Sequence, residues 1–275
     1  MAKILNGSEL AGYIKERQAH QVRALRQAWG VFPKLVIIKS KHASPVIDTY
    51  VRMKQRYGDD ILIETEVLSL SEDDMPAAIE RCNNDPNVHG MIIQLPLDDA
   101  ERTDEIINLV APEKDVDGLG AKARYDSATA LAITWLLAGY GVELRGKKLT
   151  IVGNGRLVGA PLSRMWQQSG YDVTVLDSKS GDISETLKNS NVIVTATGVP
   201  RLITTHMVPL EAVLVDAGTA SENGMIVGDI EPELRERDDL TITPEKGGVG
   251  PLTIVALFDN VIQAAQAAAA AKTPA

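Results

Sequence analysis

The chain has a single cysteine, Cys82, among 275 residues. That excludes an intramolecular disulfide and any zinc site built on a set of cysteines. Aromatic residues are also scarce: two Phe, six Tyr and three Trp, 4% of the sequence. Basic residues are outnumbered, with 28 Lys and Arg against 37 Asp and Glu, for a formal net charge of −9. A chain this acidic and poor in rings lacks the cationic footprint and stacking platforms of a nucleic-acid binder, so no nucleic-acid partner is expected. No uninterrupted apolar run approaches the roughly 20 residues that span a bilayer. The opening stretch MAKILNG turns polar before an export signal could form. The expectation is a cytoplasmic protein with no membrane partner. The four histidines, His20, His42, His89 and His206, show no paired spacing, so they are expected to be structural and no metal is expected.

What the sequence does contain is an ordinary apolar fraction, 44%, laid out in alternating strand-like and helical patterns. Single cores stop growing at about 250–300 residues, so two domains are expected. Residues 34–39 (KLVIIK) read as a buried strand. Ser44 before Pro45 offers an N-cap with proline at the first helical position, opening a helix over 46–57. Strands are expected at 61–68 and 88–95, a helix starting within 71–74 and a short helix over 104–110. This βαβαβ order predicts a parallel sheet with helices on both faces. A connecting helix over 126–139 leads to a second series. Its strands lie at 149–153, 172–176, 191–197, 212–216 and 240–243, with a helix over 158–169 and a closing Ala-rich helix over 253–271. The fold class expected is α/β, with two three-layer domains.

The second series carries a candidate phosphate-binding turn. Strand 149–153 runs into Gly153-Asn154-Gly155-Arg156-Leu157-Val158-Gly159-Ala160-Pro161. Glycines at a strand-to-helix junction let backbone approach a pyrophosphate, and the helix N-terminus offers free N–H groups. The spacing G-x-G-x-x-x-G is one residue longer than the usual fingerprint, and a plain tight turn would look the same. Asp177 follows the next strand at about the separation expected of a ribose-binding acid. A carboxylate there accepts from ribose hydroxyls and repels a 2′-phosphate, which favours NAD over NADP. Arg156, Ser178 and Lys179 are phosphate-capable neighbours, so NADP stays open.

In the first series, Tyr50 and Lys54 stand at i and i+4 on one helix face. A lysine can polarise a developing oxyanion or, with its pKa lowered, move a proton. On spacing alone, an amphipathic helix with a snorkelling lysine is the commoner arrangement. Gln94-Leu95-Pro96-Leu97 closes an apolar strand, where open α/β sheets place ligands. Asp115-Val116-Asp117-Gly118 follows a short helix, with Asp115 read as a turn cap. Gly247-Gly248-Val249-Gly250-Pro251-Leu252-Thr253 precedes the last helix, and so many glycines imply close backbone approach, a ligand floor or a hinge.

Together these blocks resemble the bifunctional methylenetetrahydrofolate dehydrogenase/methenyltetrahydrofolate cyclohydrolase family. The likeness rests on Tyr50-x-x-x-Lys54, the Gln94 and Lys114–Gly118 blocks, Gly153…Val158-Gly159-Ala160-Pro161, Gly228-Asp229, and Thr243-Pro244…Gly247-Gly248-Val249-Gly250-Pro251. It runs in the same order along nearly the whole chain. The resemblance implies a folate-binding catalytic domain (1–138 and 253–275), a Rossmann-type NAD(P)-binding domain (139–252), a cleft between them, and a homodimer. It implies NAD(P)-dependent oxidation of 5,10-methylenetetrahydrofolate and hydrolysis of the methenyl product to 10-formyltetrahydrofolate. By position, Lys54 would be the catalytic lysine, Tyr50 would stack on the folate, Gln94 would orient Lys54 and Asp117 would hydrogen-bond the pterin. Leu95, Pro96, Gly247, Gly248, Gly250, Pro251 and Thr253 would line the tetrahydrofolate derivative. Gly153, Asn154, Gly155, Arg156, Val158, Gly159, Asp177, Ser178, Thr197 and Gly198 would hold the dinucleotide.

The sequence departs from the family pattern in three places. Residues 119–129 are shortened, with Ser127-Ala128-Thr129-Ala130 where the family has Pro-Cys-Thr-Pro. Glu245-Lys246 stands in place of Val-Pro, which puts a flexible cation beside the glycines. In the dinucleotide turn Gly155 replaces a serine, and Asp177-Ser178 replaces His-Ser. These departures leave three alternatives: a dehydrogenase without the cyclohydrolase step, an altered substrate, and a non-catalytic binding protein.

Overall fold

Two parallel sheets organise the chain in the computed structural model, which describes residues 3–222 and 225–271. The smaller has the order β3-β2-β4, from β2 (Lys34–Ser40), β3 (Glu64–Leu70) and β4 (Gly90–Gln94). Central strand β2 carries Leu35, Val36, Ile37 and Ile38 in succession, all without exposed surface. Such a continuous apolar run belongs to a strand covered on both faces. Helix α2 (Pro45–Asp60) connects β2 to β3, and α3 (Met75–Asn84) connects β3 to β4. Met75 and Ile79 of α3 cluster with Val36, Ile38, Met91 and Ile93 of the sheet. Each such fully buried side chain contributes about 1.5–3 kcal/mol.

Helix α2 starts as the sequence predicts, with Ser44 Oγ accepting from the Ile47 amide at 3.5 Å and Pro45 in the first turn. It runs longer than expected. Ile61 caps it and Leu62, at φ 65°, reverses the chain, so β3 begins at Glu64 and not at 61. Short helix α4 (Thr103–Ile107) follows β4.

The larger sheet is a six-stranded parallel array of order β1-β11-β8-β7-β5-β6. Its strands are β1 (Lys3–Ile4), β5 (Leu149–Val152), β6 (Val173–Leu176), β7 (Val192–Thr195), β8 (Val213–Asp216) and β11 (Thr241–Ile242). Helix α5 (Ala128–Gly139) leads into it, α6 (Gly159–Gln168) joins β5 to β6, and short α7 (Ser184–Lys188) precedes β7. A small antiparallel pair, β9 (Ala220–Glu222) with β10 (Met225–Val227), stands apart from both sheets.

Two compact units result. One joins residues up to Gly12 with Thr129–Thr253, and the other joins Tyr13–Ala128 with the chain from Ile254 onward. The N-terminal segment therefore groups with the large sheet, unlike the division at 138/139 expected from sequence. Its cause is pairing: Lys3 stands beside Thr241 and Ile4 beside Ile242, and the Leu5 amide donates to the Ile242 carbonyl at 2.9 Å. Helix α5 from Thr129 onward joins the same unit, where Trp166 Nε1 donates to Thr134 Oγ1 at 3.0 Å.

Helices α1 (Gly7–Trp29) and α8 (Val249–Ala271) each contribute residues to both units. Helix α8 begins four residues before the expected start, which puts Gly250 and Pro251 in its first turn instead of in a loop. Among the described residues it is the one helix long and apolar enough to cross a membrane, by length and composition alone. Most of it is buried as a core helix. Asp259 pairs with Arg17 at 2.9 Å, Asn260 is buried, and Phe258 lies 5.1 Å from the ring of Tyr57.

Candidate active site and dinucleotide turn

In the unit built on the smaller sheet, β4 ends at Gln94, and α2 brings Lys54 to that strand end. Ile47 and Val51 are buried on the packed face of α2. Tyr50 and Lys54 lie one turn apart, both half-buried. Lys54 Nζ donates to Gln94 Oε1 at 2.6 Å, while Gln94 Nε2 donates to the Leu95 carbonyl at 3.2 Å. The second bond fixes the amide so that its oxygen faces the lysine. Beside Gln94 in register, Lys39 of β2 pairs with Asp48 of α2 at 2.8 Å, a second tie between helix and sheet at this end. The Leu95–Pro96 peptide is cis, with Pro96 exposed.

Burial sets the electrostatics. Loss of water pushes the Lys54 ammonium below its ordinary pKa, and the negative charge of Asp117 acts against that fall. Burial pushes the Asp117 carboxyl up to about 6, while Lys54 pulls it down and Asp115 pushes it further up. The Tyr50 phenol is raised, again by burial. An acid and a base are thus both brought toward neutral pH, the condition for proton transfer in either direction.

Three features hold the segment that carries Asp117. The Asp115 carboxylate accepts from the Gly118 amide at 3.1 Å and the Gly120 amide at 2.8 Å, so Asp115 is the turn cap expected of it. Gly118 has φ 69°, and a side chain there would crowd the Ser127 amide. From α8, Asn260 Nδ2 donates to the carbonyls of Val116 at 2.9 Å and Asp126 at 3.0 Å. Sequence reading missed Asn260, because one polar residue in an Ala-rich helix gives no signal until its carbonyl partners are known. A cavity of about 10 Å³, room for one water, lies between Asp115, Asp117, Ile93 and Leu119.

In the unit built on the larger sheet, β5 leads directly into the expected glycine turn. Gly153 has φ 102°, and a Cβ on it would overlap the Ala196 carbonyl. A Cβ on Gly159 would overlap the Gly153 carbonyl, so the turn folds tightly onto the start of α6. Gly155 faces open space, and Asn154, Gly155 and Arg156 are exposed. No side chain caps α6, whose N-cap is Val158; the Ala160 amide donates to the Gly155 carbonyl at 3.1 Å and Pro161 has no N–H, so the Gly159 amide is the first-turn donor that faces an anionic group. Thr197 and Gly198 follow β7 beside this turn, through the Ala196–Gly153 approach. These residues fit a dinucleotide pyrophosphate, which needs backbone donors and no obstructing Cβ.

Asp177 is exposed at the end of β6, with its carboxylate accepting from the Lys179 amide at 2.9 Å. Ser178 is exposed next to it. The close approach expected at Gly247 and Gly248 is to protein backbone. A Cβ on Gly7 would overlap the Gly248 carbonyl, and the Ser8 amide donates to the Gly247 carbonyl at 2.9 Å. Thr253 lies on α8, its hydroxyl donating to the Val249 carbonyl at 3.3 Å.

The six-stranded parallel sheet with its glycine turn is the architecture of a dinucleotide-binding α/β protein, and Lys54 bonded to Gln94 at the end of the smaller sheet is a pair suited to proton transfer. A model of the tetrahydrofolate dehydrogenase/cyclohydrolase catalytic domain matches residues 5–117, and one of the NAD(P)-binding domain matches residues 127–269. The chain belongs to the tetrahydrofolate dehydrogenase/cyclohydrolase family. It is 34% identical to the bifunctional protein FolD of Macrococcus caseolyticus, over 97% of this chain and 99% of that one. The crystal structure of the bifunctional FolD enzyme of Campylobacter jejuni superposes with a TM-score of 0.91 at 30% identity, covering 97% and 99% of the two chains. The Trypanosoma brucei enzyme, solved with NADP and an inhibitor, gives 0.91 at 25% identity over 99% of each. The activity is accordingly that of a bifunctional methylenetetrahydrofolate dehydrogenase and methenyltetrahydrofolate cyclohydrolase in one-carbon metabolism.

Proposed function

We propose that Lys54 is the residue that moves protons at the one-carbon bridge, with Gln94 holding its orientation and Asp117 binding the pterin. The observation that carries this is the 2.6 Å bond from a desolvated Lys54 to Gln94. NAD(P), when bound, accepts the hydride of the methylene carbon. The turn from Gly153 to Gly159 holds its pyrophosphate by backbone amides. Lys54 leans toward the neutral amine because burial disfavours its charge. In the hydrolytic step water adds to the methenyl carbon and gives its proton to Lys54. The hydroxyl of that adduct then loses its proton as the carbon–N5 bond breaks, N5 takes a proton back from Lys54, and the formyl group stays on N10 with one proton released in all. Asp117 accepts from the amino and ring N–H donors of the pterin, and Tyr50 stacks against it.

NAD is the preferred dinucleotide in this reading, because the Asp177 carboxylate stands at the strand end where a ribose would lie and would repel a 2′-phosphate. Its turn is already braced by Lys179 and Ser180, which keeps the carboxylate in place. A homodimer and a cytoplasmic site of action belong to the same proposal. The decisive experiment follows absorbance with 5,10-methylenetetrahydrofolate and each dinucleotide in turn. Appearance and decay of the methenyl band, with a higher kcat/KM for NAD, is the expected result. A higher value for NADP would overturn the cofactor assignment, and a methenyl band that never decays beyond its spontaneous rate would remove the hydrolytic step.

A further inference from the structure

Near the dinucleotide turn lie two buried carboxylates that the reading above does not use. Asp216, at the end of β8, is fully engaged. Its Oδ1 accepts from the amides of Gly218 at 3.1 Å and Asp229 at 3.0 Å, and its Oδ2 meets Arg235 Nη2 at 3.0 Å. Asp229 has no exposed surface and differs in kind. Its Oδ2 accepts from the Thr197 amide at 2.6 Å, while its Oδ1 is buried with no hydrogen-bond partner. Burial, and then the Asp216 charge, raise its pKa, while the amides of Thr197 and Gly198 oppose the rise. An ionisable group in so costly a place needs a reason.

The surroundings supply one. The backbone of Asp229 is clamped to a neighbouring strand segment: the Ile203 amide donates to the Asp229 carbonyl at 3.0 Å, and the Glu231 amide to the Ile203 carbonyl at 2.9 Å. Glycine is required on two sides, since a Cβ on Gly218 would overlap the Asp229 carboxylate and one on Gly228 would overlap that of Asp216. The carboxylate is therefore a fixed post, and what it holds is the segment after β7. That segment is held at its other end by the Ala196 amide, which donates to the Val152 carbonyl at 2.8 Å. The Ala196 carbonyl presses against Gly153. Beyond Thr197, Gly198 at φ 68° faces open space.

We propose that Asp229 is a positioning residue for the dinucleotide: through the Thr197 amide it sets residues 196–198 against the Gly153 turn and so shapes the surface that receives the cofactor. This rests on the reading of Thr197 and Gly198 as cofactor-binding. Asp229 touches neither substrate, so its removal changes one Michaelis constant and spares the other. The Asp229→Ala variant loses the acceptor, and Asp229→Asn keeps one of similar reach.

The test measures KM for dinucleotide and for methylenetetrahydrofolate separately in the full chain. Asp229→Ala is expected to raise the dinucleotide KM at least tenfold, with the folate KM within twofold, and Asp229→Asn to stay within threefold of wild type for both. Should the alanine variant not fold, Asp229→Ser, too short to reach the Thr197 amide, carries the same expectation. Unchanged constants, a parallel rise in both, an asparagine variant as impaired as alanine, or failure of both short variants to fold would overturn the proposal. NMR shifts of the Thr197 and Gly198 amides on titrating wild type with NAD or NADP separate the two layers. Absent shifts defeat the cofactor reading itself, whereas shifts with an unmoved KM in the alanine variant defeat only the role of Asp229.

Discussion

On the proposed function, the two units recognise their ligands with different parts of the polypeptide. At the end of the small sheet the proposed working groups are side chains: a half-buried lysine, a glutamine bonded to it and a carboxyl raised toward neutrality. At the end of the large sheet they are backbone amides, and side chains matter by being absent at Gly153 and Gly159. A side-chain site can lose its chemistry while the fold stands. A backbone site cannot be altered without moving the chain itself.

The sharpest way to break that contrast is Lys54→Met. Cyclohydrolase activity should fall at least about 100-fold, the lower range for losing a general acid–base group. Thermal stability should hold or rise, because a buried charge has been removed. Methenyl-band decay at the wild-type rate would show that the lysine is not the proton carrier. Next in size is Gly159→Ala, which forces a Cβ into the Gly153 carbonyl. Overpacking of this kind costs about 1–3 kcal/mol, so melting temperature and dinucleotide affinity should drop together. A drop in one without the other would mean that the turn and the site are separable.

Smaller still is the effect of acid on folate binding. With the Asp117 carboxyl near 6, the proton arrives well before it would on an ordinary carboxylate. The KM for methylenetetrahydrofolate should therefore rise as pH falls through about 6, and Asp117→Asn should flatten the profile. An inflection near 4 in wild type would place the carboxyl in water. The least effect is expected from Asp177→Ser, which removes one repulsive charge at an exposed strand end. It should move the ratio of NAD to NADP kcat/KM a few-fold toward NADP, and an unmoved ratio would free Asp177 of that role.

The side-chain site was the more legible of the two in sequence. Tyr50, Lys54, Gln94 and Asp117 are chemically conspicuous, and the helix period and strand end that bring three of them together are local features. The glycine turn was legible as a pattern, but its meaning depends on Ala196, some forty residues away. Helix α1 was not read at all. Its buried stripe is Ala11, Gln18, Val22 and Leu25, and the polar member breaks the pattern. Gln18 is buried because its amide donates to the Val255 carbonyl at 2.9 Å and accepts from the Tyr57 hydroxyl at 2.7 Å. Both partners are distant in sequence. Strand β1 was invisible for a similar reason, being two residues long and defined by a neighbour at the far end of the chain.

That pairing has a consequence for the order in which the protein can be made. Strand β1 is made long before its partner β11, which ends at Ile242. The unit built on the smaller sheet waits as well, since it is completed by the chain from Ile254 onward. Neither unit can close its core until segments beyond residue 240 have emerged. Domains are commonly finished one after another during synthesis, but here both wait for these late segments. Until then the apolar strands β2 and β5 have only part of their cover, and translation rate and chaperone access while those segments are made should govern how much chain reaches the native state.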